Sequence, residues 1–144
     1  MRLVILIGTL VALAGCGDDK TSTPKTPATG PLVVYERGGG IASQPLKLTV
    51  DRSGHAALEV RTGPKLSHDE FTVGAGDLAD LENAIDAAQG VDPKPTNTGC
   101  ADCYEYSVKA DGVAFHLDSV TYTDDATPAE LKDLVAELDG LAGN

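Results

Sequence analysis

Residues 46–60 alternate apolar and polar side chains on both sides of a turn, and no other feature constrains the fold as strongly. Leu46, Leu48 and Val50 share one face and are separated by Lys47 and Thr49. Arg52, Ser53 and Gly54 follow, and then Ala56, Leu58 and Val60 alternate with Ala57, Glu59 and Arg61. A period of two sends every second side chain to the same side of a strand, so this stretch reads as a hairpin with one buried face. A second hairpin repeats the pattern with Tyr104, Tyr106 and Val108, an Asp111-Gly112 turn, and Val113, Phe115 and Leu117. Two more strands are expected. One is the β-branched and aromatic run at residues 32–37, stopped by Gly38, Gly39 and Gly40. The other is a short strand at Phe71 and Val73, after a polar, Pro-containing stretch at residues 62–69.

Near Asp77 the period changes to that of a helix. Leu78, Leu81, Ile85 and Ala88 line one side, Asp80, Glu82 and Asp86 the other, and Gly90 closes the segment. The last helix begins at Thr127-Pro128-Ala129-Glu130, with Thr127 as N-cap, Pro128 at the first helical position and Glu130 completing a capping box. Leu131, Leu134, Val135, Leu138 and Leu141 then form one apolar stripe. Four strands, a helix, two strands and a helix predict an α+β fold. Its sheet is mostly antiparallel, with about six strands (ββββ-α-ββ-α) and two helices packed on one face.

The first residues have a different purpose. Met1 and Arg2 precede an apolar run at residues 3–13, too short for a permanent span but suited to a secretory leader. The run ends in Leu13-Ala14-Gly15-Cys16, which resembles the bacterial lipobox. That resemblance implies cleavage of residues 1–15 and lipidation of Cys16, and two or three acyl chains make such attachment stable. Residues 17–31 hold three Pro, four Thr and one Ser with no large apolar side chain, so they read as a flexible tether, about 50 Å long if stretched. Residues 32–144 form the single folded domain.

The chain of 144 residues carries 11 basic and 22 acidic side chains, a net charge of -11. Loss of the leader removes Arg2 and no acid, which leaves -12. Such a charge argues against a binder of nucleic acid or of anionic lipid headgroups, whose surfaces collect Lys and Arg. Membrane contact is expected through the lipid anchor only.

The candidate chemistry is sparse. Cys100-Ala101-Asp102-Cys103 has the spacing of redox and zinc motifs. However, it follows a Pro-rich loop and leads into a strand, and no second cysteine pair completes a zinc site. With Cys16 lipidated, Cys100 and Cys103 pair evenly as a local structural disulfide. So short a loop closes little chain entropy, and the bond shapes the loop rather than holding the fold. Ser67-His68-Asp69-Glu70 reads as a solvated loop, because sequence neighbours do not face one another as a triad requires. His55, His68 and His116 fall in separate elements. Asp124 and Asp125 suit the approach to a helix N-terminus better than a calcium site. Gly38, Gly39 and Gly40 lack the spacing of a phosphate loop. No catalytic constellation is evident, so no enzyme, cofactor or metal is expected.

Tyr35-Glu36-Arg37-Gly38-Gly39-Gly40-Ile41-Ala42, a strand ending in a Gly-rich turn and an apolar residue, resembles the emfourin family. These are small protein inhibitors of thermolysin-like zinc metallopeptidases such as protealysin. The similarity runs in order along residues 32–144. FTVGAGDLADLENAIDAA looks like the family's first helix, Asp102-Cys103-Tyr104-Glu105-Tyr106 like its acid-aromatic strand, and residues 124–141 like its last helix. The family turn often reads Ser-Gly-Gly-Phe, where this chain has three glycines and Ile41, and the Cys100–Cys103 pair looks like an addition. The resemblance implies a partner-binding loop of Gly38, Gly39, Gly40, Ile41 and Ala42 that plugs a secreted peptidase's cleft with Ile41 leading. A non-catalytic adaptor with another envelope protein as partner fits the same features. Either way the expectation is a monomeric, exported lipoprotein of the bacterial envelope, on the outer membrane or the outer face of the plasma membrane.

Overall fold

The computed structural model describes residues 30–41, 44–93 and 100–143. Cys16, the leader and nearly all of the tether lie outside these residues, as does Ala42. The elements are β1 (Val33–Gly39), β2 (Leu46–Val50), β3 (His55–Thr62), β4 (Lys65–Thr72), α1 (Ala75–Ala88), β5 (Tyr104–Ala110), β6 (Val113–Asp118), α2 (Ser119–Thr123) and α3 (Ala129–Ala142). One six-stranded sheet runs β4-β3-β2-β1-β5-β6 with every neighbouring pair antiparallel. This is the α+β fold that the alternation predicts.

The register shows why the alternation is so clean. Tyr35 of β1 stands opposite Leu48 of β2 and Val108 of β5, and all three are fully buried. Their neighbours Glu36, Lys47 and Lys109 are exposed on the other face. An antiparallel sheet with one face on a core and one in water produces this pattern. Leu81, Ile85 and Ala88 of α1 and the leucine stripe of α3 cover the inner face, and the two helices also pack on each other. Burial of each such leucine contributes about 1.5–3 kcal/mol. In the turn between β2 and β3, Asp51 Oδ1 accepts bonds from the Ser53 hydroxyl at 2.6 Å, the Ser53 amide at 2.8 Å and the His55 amide at 3.1 Å. The Ser53 hydroxyl bond, ahead of the amide bonds, holds this carboxyl below its usual range.

Several local expectations need correction. Gly38 and Gly39 do not stop β1; they continue it, in register with Glu105 and Tyr104 of β5. Residues 65–70 are not a loop but most of β4, an edge strand matched to β3 from His55↔Thr72 to Thr62↔Lys65. Residues 65–70 are all exposed, so no face-specific apolar pattern marks them as a strand. The first helix starts at Ala75, ahead of Asp77. A third, five-residue helix, α2, follows β6 and is capped by Asp118, whose Oδ1 accepts the Thr121 amide at 2.7 Å.

Thr127 does not cap α3. Its buried hydroxyl donates to the Thr121 carbonyl at 2.6 Å, while Pro128 takes the cap position without any side-chain bond, so the capping box with Glu130 does not form. A buried hydroxyl must find an acceptor, and the Thr121 carbonyl of α2 supplies it.

Candidate functional site

β1 is one of the two central strands of the sheet, and its last residues emerge beside the start of β5. Gly39 pairs with Tyr104, so the glycine run rests against the loop closed by Cys100 and Cys103. These cysteines are disulfide-bonded, with Cα atoms 5.6 Å apart. Gly39 has φ +78, and a Cβ there would overlap the Cys103 carbonyl oxygen. Only glycine meets both conditions without strain. A Cβ on Gly40 (φ +76) would sit 3.6 Å from the Tyr104 ring and 3.8 Å from the Asp102 carbonyl oxygen. Ile41 follows with 89% of its surface exposed, and Tyr104 beside the glycines is 43% exposed. An apolar tip on a fixed base results. Its glycines belong to the backbone approach between two loops as much as to a free turn.

The base of the tip is held from within the domain. Arg37 Nη1 and the Tyr35 hydroxyl both donate to Asp139 Oδ1 of α3, each at 2.7 Å. Tyr106, opposite Arg37 in β5, packs its ring 5.2 Å from that of Tyr122 in α2. Burial, and then the bond to Asp139, push the Tyr35 phenol well above its ordinary pKa. Burial, and then the Asp139 charge, raise that of Tyr106. Tyr104 is legible in the alternation of β5, whereas Asp139 follows from no periodicity. The pairing of Tyr104 with Gly39 belongs to the β1–β5 register, which no local turn sets, and the Asp139 contact has no local signal either.

The other candidates fall into place on the outer face and the loops. His55, His68 and His116 all lie on the open side of the sheet, on β3, β4 and β6. Glu70 comes between two of them, 3.3 Å from His68 Nε2 and 3.9 Å from His55 Nε2. Ser67 and Asp69 point to the opposite face from His68, because strand residues alternate, and the Ser67 hydroxyl donates to the Val60 carbonyl at 3.2 Å. A triad cannot assemble from them. Asp124 Oδ1 accepts the Ala126 amide at 2.8 Å, which commits that carboxylate to its own turn. Among the described residues, no group of three or more His, Cys, Asp or Glu could hold a metal ion. A shallow basin of about 490 Å³ lies on the outer face near Gly38, between Glu36, Lys47, Glu59, Arg61 and His116. Its mixed charges do not converge on one point, unlike the few placed polar groups of a small-ligand pocket.

No protein-family model matches this chain, and no match was found among curated proteins.

Proposed function

We propose that the domain is a protein-binding module that acts by inserting the Ile41 tip into a partner's cleft, and that the partner is a secreted thermolysin-like zinc metallopeptidase. One observation carries this reading. A large aliphatic side chain, 89% exposed, stands just past the end of β1, two residues after a glycine packed against the Cys103 carbonyl. Presenting an apolar side chain already exposed to a partner suits an anchor role, and apolar anchors in pockets dominate interface energies. Occlusion of a cleft needs no nucleophile or metal on the inhibitor. In the same reading the domain is an exported envelope lipoprotein, held at the membrane by the acylated Cys16 through residues 17–31. Among the described residues no helix is long and apolar enough to cross a membrane, which leaves that task to the anchor in this proposal.

The second reading, a non-catalytic envelope adaptor, draws on Ile41 itself, which offers less contact surface than the aromatic ring at the corresponding place in the family it resembles. Titration of a panel of thermolysin-like peptidases with the purified chain tests the proposal. Inhibition below micromolar supports the peptidase reading. Full peptidase activity across the panel at micromolar concentrations favours the adaptor.

A further inference from the structure

We propose that the Cys100–Cys103 disulfide is a redox latch on the apolar tip, presenting Ile41 when oxidised and releasing it when a dithiol reduces the bond. The coupling is steric and direct. Gly39 lies against the carbonyl of Cys103 closely enough to exclude a Cβ, and a Cβ on Gly40 would come into contact with the ring of the next residue, Tyr104. Whatever fixes Cys103 therefore fixes the floor beneath Gly39, two residues before Ile41. The disulfide is the covalent constraint on that floor, since it ties Cys103 to Cys100 only three positions away.

The same short span limits how far the effect reaches. A loop this small removes little entropy from the unfolded chain, so its opening loosens the loop and what leans on it while the core stays closed. That core, built on Tyr35, Leu48, Val108 and the stripe of α3, contains neither cysteine. The bond is also reachable. Cys100 is exposed and Cys103 half-buried.

A dithiol is the reductant. One thiolate of the dithiol attacks Cys100 Sγ, forming a mixed disulfide and expelling the Cys103 thiolate, which takes a proton. The second thiol of the reagent then attacks the mixed disulfide, expels the Cys100 thiolate to be protonated, and leaves as a cyclic disulfide. Two electrons and two protons pass from the dithiol to the protein.

This latch rests on the reading of the tip as the contact element, yet its test does not use a partner. Amide hydrogen exchange is followed on the full chain, oxidised and after dithiothreitol treatment, with thiols counted in both states. The expected result is exchange at least about tenfold faster at residues 38–41 and 103–105 after reduction, with α3 and the β2–β3 hairpin unchanged. A Cys100→Ser, Cys103→Ser variant should show the reduced profile from the start and ignore the dithiol. Unchanged tip exchange overturns the latch, and so does acceleration throughout α3 and β3, which would make the bond a global brace. Free thiols at both positions in the untreated protein also overturn it. Peptidase inhibition by the oxidised chain reads the tip itself, so the two ideas fail separately.

Discussion

Tyr35 and Asp139 meet across 104 residues of chain: the tyrosine hydroxyl, on a fully buried ring, donates at 2.7 Å to Oδ1 of the carboxylate. The same oxygen takes Arg37, two residues further along β1 and one before the first tip glycine. One carboxylate of α3 thus anchors the end of β1 from below. Asp139→Ala strands a buried hydroxyl, and its expected cost is about 1–3 kcal/mol. The half-exposed ion pair with Arg37 adds at most about 1 kcal/mol. Tyr35→Phe should cost about 1 kcal/mol alone and much less when Asp139 is already Ala. Urea unfolding of the four proteins reads this coupling, and strictly additive losses would show that the bond is absent in solution.

The raised phenol of Tyr35 makes alkaline stability a second test. The folded chain holds this proton where the unfolded chain releases it, near the ordinary tyrosine value of about 10. Above that pH the unfolded state binds fewer protons than the native state, so stability falls as pH rises, while below it the contribution is complete. Urea midpoints between about pH 8 and pH 11 should decline only in the upper part of the range. Tyr35→Phe should flatten the decline without abolishing it, because Tyr106 is shifted in the same direction.

The three tip glycines should not respond alike to alanine. At Gly39, positive φ and the Cys103 carbonyl act together, and the expected loss is about 2 kcal/mol or more. Gly40 shares the φ but has ordinary contact distances, so about 1 kcal/mol is expected. Gly38 has open space at its Cβ and no positive φ, and alanine there should be neutral or slightly stabilising. Thermal unfolding of the series checks the order 39, 40, 38. A Gly39→Ala no more costly than Gly40→Ala would mean that Gly39 and Cys103 do not touch.

Ile41→Asp separates binding from folding. The side chain is almost wholly exposed, so stability should move by no more than about 0.5 kcal/mol. If Ile41 is the anchor of an inhibitory contact, loss of about 2 kcal/mol of binding raises the inhibition constant roughly 30-fold. A variant as potent as the wild type would remove Ile41 from the interface.

Legibility in the sequence followed burial. Where one side of an element faces the core, as with Leu46, Leu48 and Val50 or the leucines of α3, the period is written in the residues. Lys65, Leu66, Ser67, His68, Asp69 and Glu70 are exposed on both sides of an edge strand, so water imposes no alternation on them, and only pairing with β3 makes them a strand. Ser119-Val120-Thr121-Tyr122-Thr123 is rich in β-branched side chains and forms a helical turn because Asp118 caps it and the chain must leave β6. Thr127 has the spacing of a cap, but burial turns its hydroxyl to Thr121. The tip shows the same division. Its glycines and cysteines are visible as separate motifs, and only the β1–β5 register brings Gly39 to Cys103.

Val33 and Gly39 are opposite ends of one central strand, about 20 Å apart at ordinary strand rise. Whatever precedes residue 30 therefore enters the sheet at the end remote from Ile41, and the apex faces away from the point of entry. A tug on the N-terminal side pulls β1 along its own length, against the ladders to β2 and β5 together. Those bonds are loaded in shear, as a set, on both flanks, where an edge strand would have a ladder on one side only. The same strand thus presents the tip and takes the strain of any pull from behind it.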